Sequence, residues 1–322
     1  MKKIDKKRLF ERLNNLIKDY VVYAPKGKDF GKIEDTSEIK RESINVRLSP
    51  KQVFLPQEEA LFTFKQGDIK VPENNEKYIL FGIRPCDAKA IALLDKNFDT
   101  KDFPDPYYID RRKNSILIAE ACIEPESTCF CTAFGSGPFE SKDADALIID
   151  RGDYYLIDGN EKALSLFDGL LEDDGGEKIL ELKKKAEDSI KSPVVEGIDK
   201  KLSSMIDDPI WDEVSRKCIT CGACTYLCPT CYCFDIQDVG KDDKYMRERV
   251  WDSCMFTVYT LEASGHNPRK EKEKRMRQRV MHKFNYYPFL YDEYGCVGCG
   301  RCIKYCPVNV DIRKIITKIM EV

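Results

Sequence analysis

The chain has 322 residues, 42% hydrophobic and 34% charged, with 53 Lys and Arg against 56 Asp and Glu for a formal net charge of -3. That is enough apolar material for a sizeable core, without the basic excess of a dedicated nucleic-acid binder. No apolar run approaches the roughly 18–20 residues of a membrane span, and the charged start Met-Lys-Lys-Ile-Asp-Lys-Lys-Arg lacks the apolar core of a secretion signal, so a cytoplasmic protein is expected.

In chain order, Leu9, Leu13, Leu16 and Tyr20 recur at helical spacing and predict an opening helix. Short, β-branched apolar runs predict strands over 20–23, 77–83, 115–119, 146–149 and 154–157, with a helix from Asp87 to Leu94 capped by Asp87. The stretch from Asp173 through Gly175, Gly176 and Lys183–Lys185 to Pro193 reads as a helix and a linker, which sets a boundary near residue 200. Beyond it, Asp242–Glu262 and Arg269–Phe284 are rich in Arg, Lys, Glu and Met, lack period-2 alternation, and read as helices broken at Gly265 and Pro268. The expected class is α+β: a mixed α/β domain over 1–200 and a mainly α-helical domain over 201–322.

The composition carries 15 cysteines and only two histidines, His266 and His282. An odd count without a secretion signal points to thiolate metal ligation in a reducing compartment rather than a disulfide framework. So few histidines argue against a His-based zinc hydrolase or a Ser-His-Asp enzyme. Eleven of the cysteines lie beyond residue 200. Two segments there share one spacing, Cys218-Ile-Thr-Cys221-Gly-Ala-Cys224-Thr-Tyr-Leu-Cys228-Pro229 and Cys296-Val-Gly-Cys299-Gly-Arg-Cys302-Ile-Lys-Tyr-Cys306-Pro307. This is the bacterial ferredoxin run, in which the fourth cysteine ligates the other cluster. The expected ligand sets are Cys218, Cys221, Cys224 and Cys306 for one 4Fe-4S cluster, and Cys296, Cys299, Cys302 and Cys228 for the second. A zinc knuckle accounts for paired CxxC steps but not for the third step and the proline.

Four further cysteines, Cys86, Cys122, Cys129 and Cys131, stand just beyond predicted strands. Four is the complement of a third 4Fe-4S cluster; a zinc site and unligated thiols are the alternatives. Cys231, Cys233 and Cys254 read either as small buried residues beside the clusters or as redox thiols or ligands. Residues 246–283 hold ten Lys and Arg against five Asp and Glu, which reads first as a solvated helix face and second as a docking surface for an acidic partner. Phe134–Pro138 reads as a turn, and no dinucleotide or P-loop fingerprint occurs.

Together with Ser49-Pro-Lys-Gln-Val-Phe-Leu-Pro56, Gly82-Ile-Arg-Pro-Cys-Asp87, Cys129-Phe-Cys131 and Cys228-Pro-Thr-Cys-Tyr-Cys233, the two ferredoxin runs resemble the family of iron-sulfur proteins that includes the sulfhydrogenase beta subunit and the iron-sulfur component of anaerobic sulfite reductase. The segment from Asn267 to Phe284 also looks like the helical insert of α-helical ferredoxin domains. The resemblance implies electron transfer inside a cytoplasmic complex, between a flavin-containing NAD(P)H-oxidoreductase subunit and a catalytic subunit such as a hydrogenase or a sulfite reductase. A different reading of the same residues is an enzyme that reduces a sulfur compound or thiol at the N-terminal cysteines.

Overall fold

The computed structural model describes residues 1–65, 67–174, 179–241 and 244–322. The chain forms two compact units, one of residues 1–54, 74–191 and 297–299, the other of residues 55–73, 192–296 and 300–322. It combines sheets with many short helices, as the α+β class requires. No helix among the described residues is long and apolar enough to cross a membrane.

The first unit is built on a mixed sheet. Its strands run in the order Glu172–Asp173, Lys2–Asp5, Tyr154–Gly159, Ala146–Asp150, Ser115–Glu120, Tyr78–Ile83, Val21–Gly27 and Asp29–Lys32. The four from Ala146–Asp150 to Val21–Gly27 are parallel to one another, and the outer pairings are antiparallel. Parallel strands covered on both faces read as unbroken apolar runs, and Tyr78–Ile83 is buried at all six positions. The opening helix, Lys6–Leu16, turns Leu9 and Leu13 onto a core shared with Ile79, Ile118 and Ile148.

The helix after Tyr78–Ile83 starts earlier than its sequence suggests. It spans Pro85–Phe98 with Arg84 at the cap, and Asp87 sits at its third position, where the carboxylate accepts the Arg84 N–H at 3.4 Å. Proline is suited to the first helical position because the N–H it lacks has no partner there. That moves Asp87 from cap to first turn. Helix Leu180–Asp188 contains the Lys183–Lys185 run, while Gly175 and Gly176 of the expected linker lie outside the described residues.

In the second unit a four-stranded antiparallel sheet stands beside the helices. Its order is Phe234–Lys241, Lys244–Trp251, Glu58–Lys65, Asp68–Lys70. The segment over 55–73 belongs to this unit because Glu58–Lys65 pairs along Lys244–Trp251. The expectation of a helix over Asp242–Glu262 is corrected: Lys244–Trp251 is a strand and Thr257–Thr260 a single 3₁₀ turn, while Asp242 lies outside the described residues. The charges that mask its alternation are answered across the sheet. Arg247 holds Asp238 through two bonds of 2.8 and 2.7 Å, and buried Arg249 pairs with buried Glu59. Cross-strand partners of this kind are the unit of sheet stability, and they lie far apart in sequence.

The helical part is as expected in kind. Lys272–Met281 is an α-helix that passes through a π-helical segment, His282–Tyr286, into Tyr287–Tyr291. The last helix, Ile312–Glu321, buries Ile312, Ile315, Ile316 and Ile319 along one face and is capped by Asp311, whose carboxylate accepts the Arg313 N–H at 2.9 Å.

Candidate iron-sulfur sites

The two ferredoxin runs adopt the same local backbone. Each loop places its third residue in the left-handed region, Thr220 at φ 56° and Gly298 at φ 62°, and its fifth likewise, Gly222 at φ 75° and Gly300 at φ 76°. A four-residue helix follows each loop, Ala223–Tyr226 and Arg301–Lys304. A left-handed residue reverses the chain within a turn, which directs successive cysteines toward one centre. Glycine at 298 has a further reason: a side chain there would collide with the backbone of Phe130 and Cys131. The Phe130 N–H donates to the Gly298 carbonyl at 2.8 Å.

Cys218, Cys221, Cys224, Cys302 and Cys306 line one cavity, together with Met255, Met276 and Arg279. Thus the first three cysteines of the first run share a cavity with the third and fourth cysteines of the second. Backbone N–H groups already point at the sulfurs: Thr220 donates to Cys218 Sγ at 3.4 Å and Val310 to Cys306 Sγ at 3.2 Å. Arg279 is buried and its Nε has no hydrogen-bond partner among the described residues. Burial opposes its charge, but Cys224, Cys302, Cys231 and Cys228 in their ionised form outweigh that and push its pKa up. A buried guanidinium with an unmet donor calls for an anionic acceptor.

Cys228, last of the first run, faces a second buried cation. Lys283 Nζ donates to its Sγ at 3.3 Å, to Thr230 Oγ1 at 3.0 Å and to the Gly295 carbonyl at 2.9 Å. Thr230 Oγ1 lies 3.1 Å from the same sulfur. Burial works against the Lys283 charge, yet ionised Cys228, Cys231 and Cys296 raise its pKa well above the usual value. The basic segment therefore is not only a solvated face: Arg275, Arg279 and Lys283, four residues apart, are all buried. The signal was present in the i, i+4, i+8 spacing and in the apolar Met276, Val280 and Phe284 that accompany it. Cys296 and Cys302 lie in this unit, and Cys299 in the 297–299 loop of the first.

The N-terminal four converge at the ends of neighbouring strands. Tyr78–Ile83 and Ser115–Glu120 are parallel partners, so Cys86 and Cys122 emerge at the same edge, where parallel sheets present their sites. A register shift between Phe81 and Ile83 accompanies Gly82 at φ 70°, and a Cβ there would meet the Arg41 guanidinium at 3.2 Å and the Glu120 carboxylate at 3.3 Å. Buried Asn45 ties the thiols together. Its Oδ1 lies 3.7 Å from Cys86 Sγ, and its Nδ2 donates to Cys129 Sγ at 3.6 Å and to the Cys299 carbonyl at 2.7 Å. Arg84, 3% exposed, donates to the carbonyls of Glu120 and Ala121 at 3.1 and 2.8 Å.

All four thiols are 6–8% exposed. Burial, and after it the neighbouring Cys122, pushes the Cys129 and Cys131 thiols up to about 12. Burial likewise raises Cys122, against the pull of Arg84 and Arg41. Thiols held this high keep their protons at neutral pH, and a bound metal displaces them. Thr128 Oγ1, beside Cys129 in the chain, is buried with no hydrogen-bond partner among the described residues. Nowhere among the described residues do three His, Cys, Asp or Glu side chains converge as the ligands of a single ion do. A cubane binds each thiolate at a different iron and so spreads them wider than one ion's shell.

The fold and these cysteine-lined sites define an iron-sulfur protein of the dicluster kind, and residues 217–310 match the 4Fe-4S dicluster domain family. Over 301 residues the chain is 30% identical to Sulfhydrogenase 2 subunit beta of Pyrococcus furiosus, covering 91% of this chain and 89% of that one. It belongs to the iron-sulfur subunit family of the sulfhydrogenase beta subunit. No solved structure matches the chain.

Proposed function

We propose that the protein is an electron-transfer subunit of a cytoplasmic, multi-subunit oxidoreductase of anaerobic metabolism. In this reading it relays electrons between a flavin-containing NAD(P)H-oxidoreductase subunit and a catalytic subunit of hydrogenase type. A 4Fe-4S cluster supplies a one-electron centre when bound. Cys218, Cys221, Cys224 and Cys306 hold the first, and Cys296, Cys299, Cys302 and Cys228 the second. Cys86, Cys122, Cys129 and Cys131 hold a third. The observation that carries the reading is one cavity in which Cys218, Cys221 and Cys224 of the first run meet Cys302 and Cys306 of the second, beside buried Arg279. Exchanged ligands place two centres close together, and the buried cations offset the charge of the thiolates. Burial of the N-terminal four leaves little room for a substrate thiol, which disfavours catalysis at that site.

Serine substitution tests the ligand sets through the EPR signals of the reduced protein. Cys221→Ser and Cys306→Ser should remove the same signal, Cys299→Ser and Cys228→Ser the other. Loss of the Cys299 signal in Cys306→Ser would break the exchanged assignment, and unchanged iron in all four would break the cluster reading. Co-purification of the native protein with flavin and catalytic subunits checks the partners; an active, isolated monomer is the contrary result.

A further inference from the structure

Cys233 and Cys254 belong to none of the three cysteine sets. Phe234 pairs with Trp251 across the antiparallel ladder, and the Asp252 N–H donates to the Cys233 carbonyl at 3.0 Å. The pairing brings Cys254 against Cys233. Cys233 raises the pKa of Cys254 and, after burial, that of Tyr259, so the three groups lie side by side. Both cysteines line a cavity of about 370 Å³ with Tyr232, Tyr259, Arg269 and His282. Among the described residues the Arg269 guanidinium has no hydrogen-bond or ion-pair partner. Both cysteines are partly exposed, unlike the four N-terminal ones.

Each feature has a chemical consequence. Two adjacent thiols at a solvent-connected cavity can close to a disulfide without a large rearrangement. Cys233, and burial, push the Cys254 thiol up and keep its proton there, which leaves Cys233 as the sulfur to attack first. A lone guanidinium beside them selects a carboxylate.

We propose that Cys233 and Cys254 are a dithiol–disulfide couple that reduces a low-molecular-weight disulfide carrying a carboxylate. The Cys233 thiolate attacks one sulfur of the ligand; the ligand S–S bond breaks, a mixed disulfide forms, and the departing thiolate takes up the proton Cys233 had given up. Cys254 then loses its proton and attacks the Cys233 sulfur, which closes the protein disulfide and releases the second thiol, protonated in turn. In sum, two protein thiols and one disulfide give one protein disulfide and two thiols. Two electrons pass from the cysteines to the ligand, and an excess of a small dithiol reverses the exchange.

The experiment uses the iron-loaded full chain under anaerobic conditions, with oxidised glutathione as the anionic probe and cystamine as a cationic one. Peptide mapping after alkylation should show a Cys233–Cys254 disulfide, and Cys254→Ser should trap the mixed disulfide on Cys233. Arg269→Gln should slow reaction with oxidised glutathione about tenfold, the size of a lost charged hydrogen bond, and leave cystamine within about twofold. The proposal is overturned if wild-type protein forms no such bond, if trapping occurs on another cysteine, or if Arg269→Gln affects both probes alike. Iron content of the same samples is read separately: its absence would undo the cluster reading, while the mass shift still decides the couple.

Discussion

Lys283 concentrates the electrostatics of one cysteine set in one side chain. It is buried, and its ammonium donates to Cys228 Sγ. Removing a positive charge beside a redox centre makes an added electron costlier, so Lys283→Gln should lower one midpoint potential. A charged hydrogen bond of about 1.5–3 kcal/mol corresponds to a shift on the order of 100 mV for one electron. An EPR-monitored redox titration checks it, and an unmoved potential would show that Lys283 only fills space. The preceding residue gives a pH prediction. Burial, then the adjacent Lys283, lowers the His282 pKa from 6.5 to about 4, with Cys228 pulling the other way. The folded protein keeps this imidazole neutral while the unfolded chain protonates it below 6.5. Its stabilising contribution is therefore full above pH 6.5, falls as the pH drops toward 4, and amounts to at most about 3 kcal/mol. Denaturant titrations of wild type and His282→Gln should converge toward pH 4 and separate again at pH 7.

At the scale of elements, the two ferredoxin loops share backbone angles but not constraints. Thr220 carries a side chain at a left-handed φ, whereas Gly298 has the Phe130 backbone against it. Gly298→Ala should cost about 2–4 kcal/mol, combining the left-handed penalty with overpacking, while Thr220→Gly should change stability by less than about 1 kcal/mol. Thermal unfolding of both variants, with iron content as a control, measures the contrast. The loops themselves were legible in sequence because ligand spacing is a local constraint. Strand Lys244–Trp251 was not, since Arg247 and Arg249 are explained by Asp238 and Glu59, partners that no local window contains. The helix at Pro85 shows a smaller version of this: proline marks its first position locally, while Asp87 carries the side chain of a cap but sits in the first turn.

For the whole molecule, the count of clusters is the decisive quantity. About twelve irons per chain are expected for three cubanes and about eight for two, at four each. Cys129→Ser should lower the iron by about four and spare the signals assigned to Cys221 and Cys299; a wild-type chain with only eight irons would remove the third site. The sequence by itself determined the family, the α+β class and the two ferredoxin runs, because cysteine spacing, apolar runs and the proline after each fourth cysteine are properties of contiguous chain. It also proposed Cys86, Cys122, Cys129 and Cys131 as a set, but no spacing could bring them together. Only the tertiary structure made Tyr78–Ile83 and Ser115–Glu120 neighbours, gathered Cys86 and Cys129 around Asn45, and turned Arg279 and Lys283 inward. The reason is physical. A buried charge is tolerated only where opposite charge or acceptors meet it, and those partners come from segments that are distant in the chain until it folds.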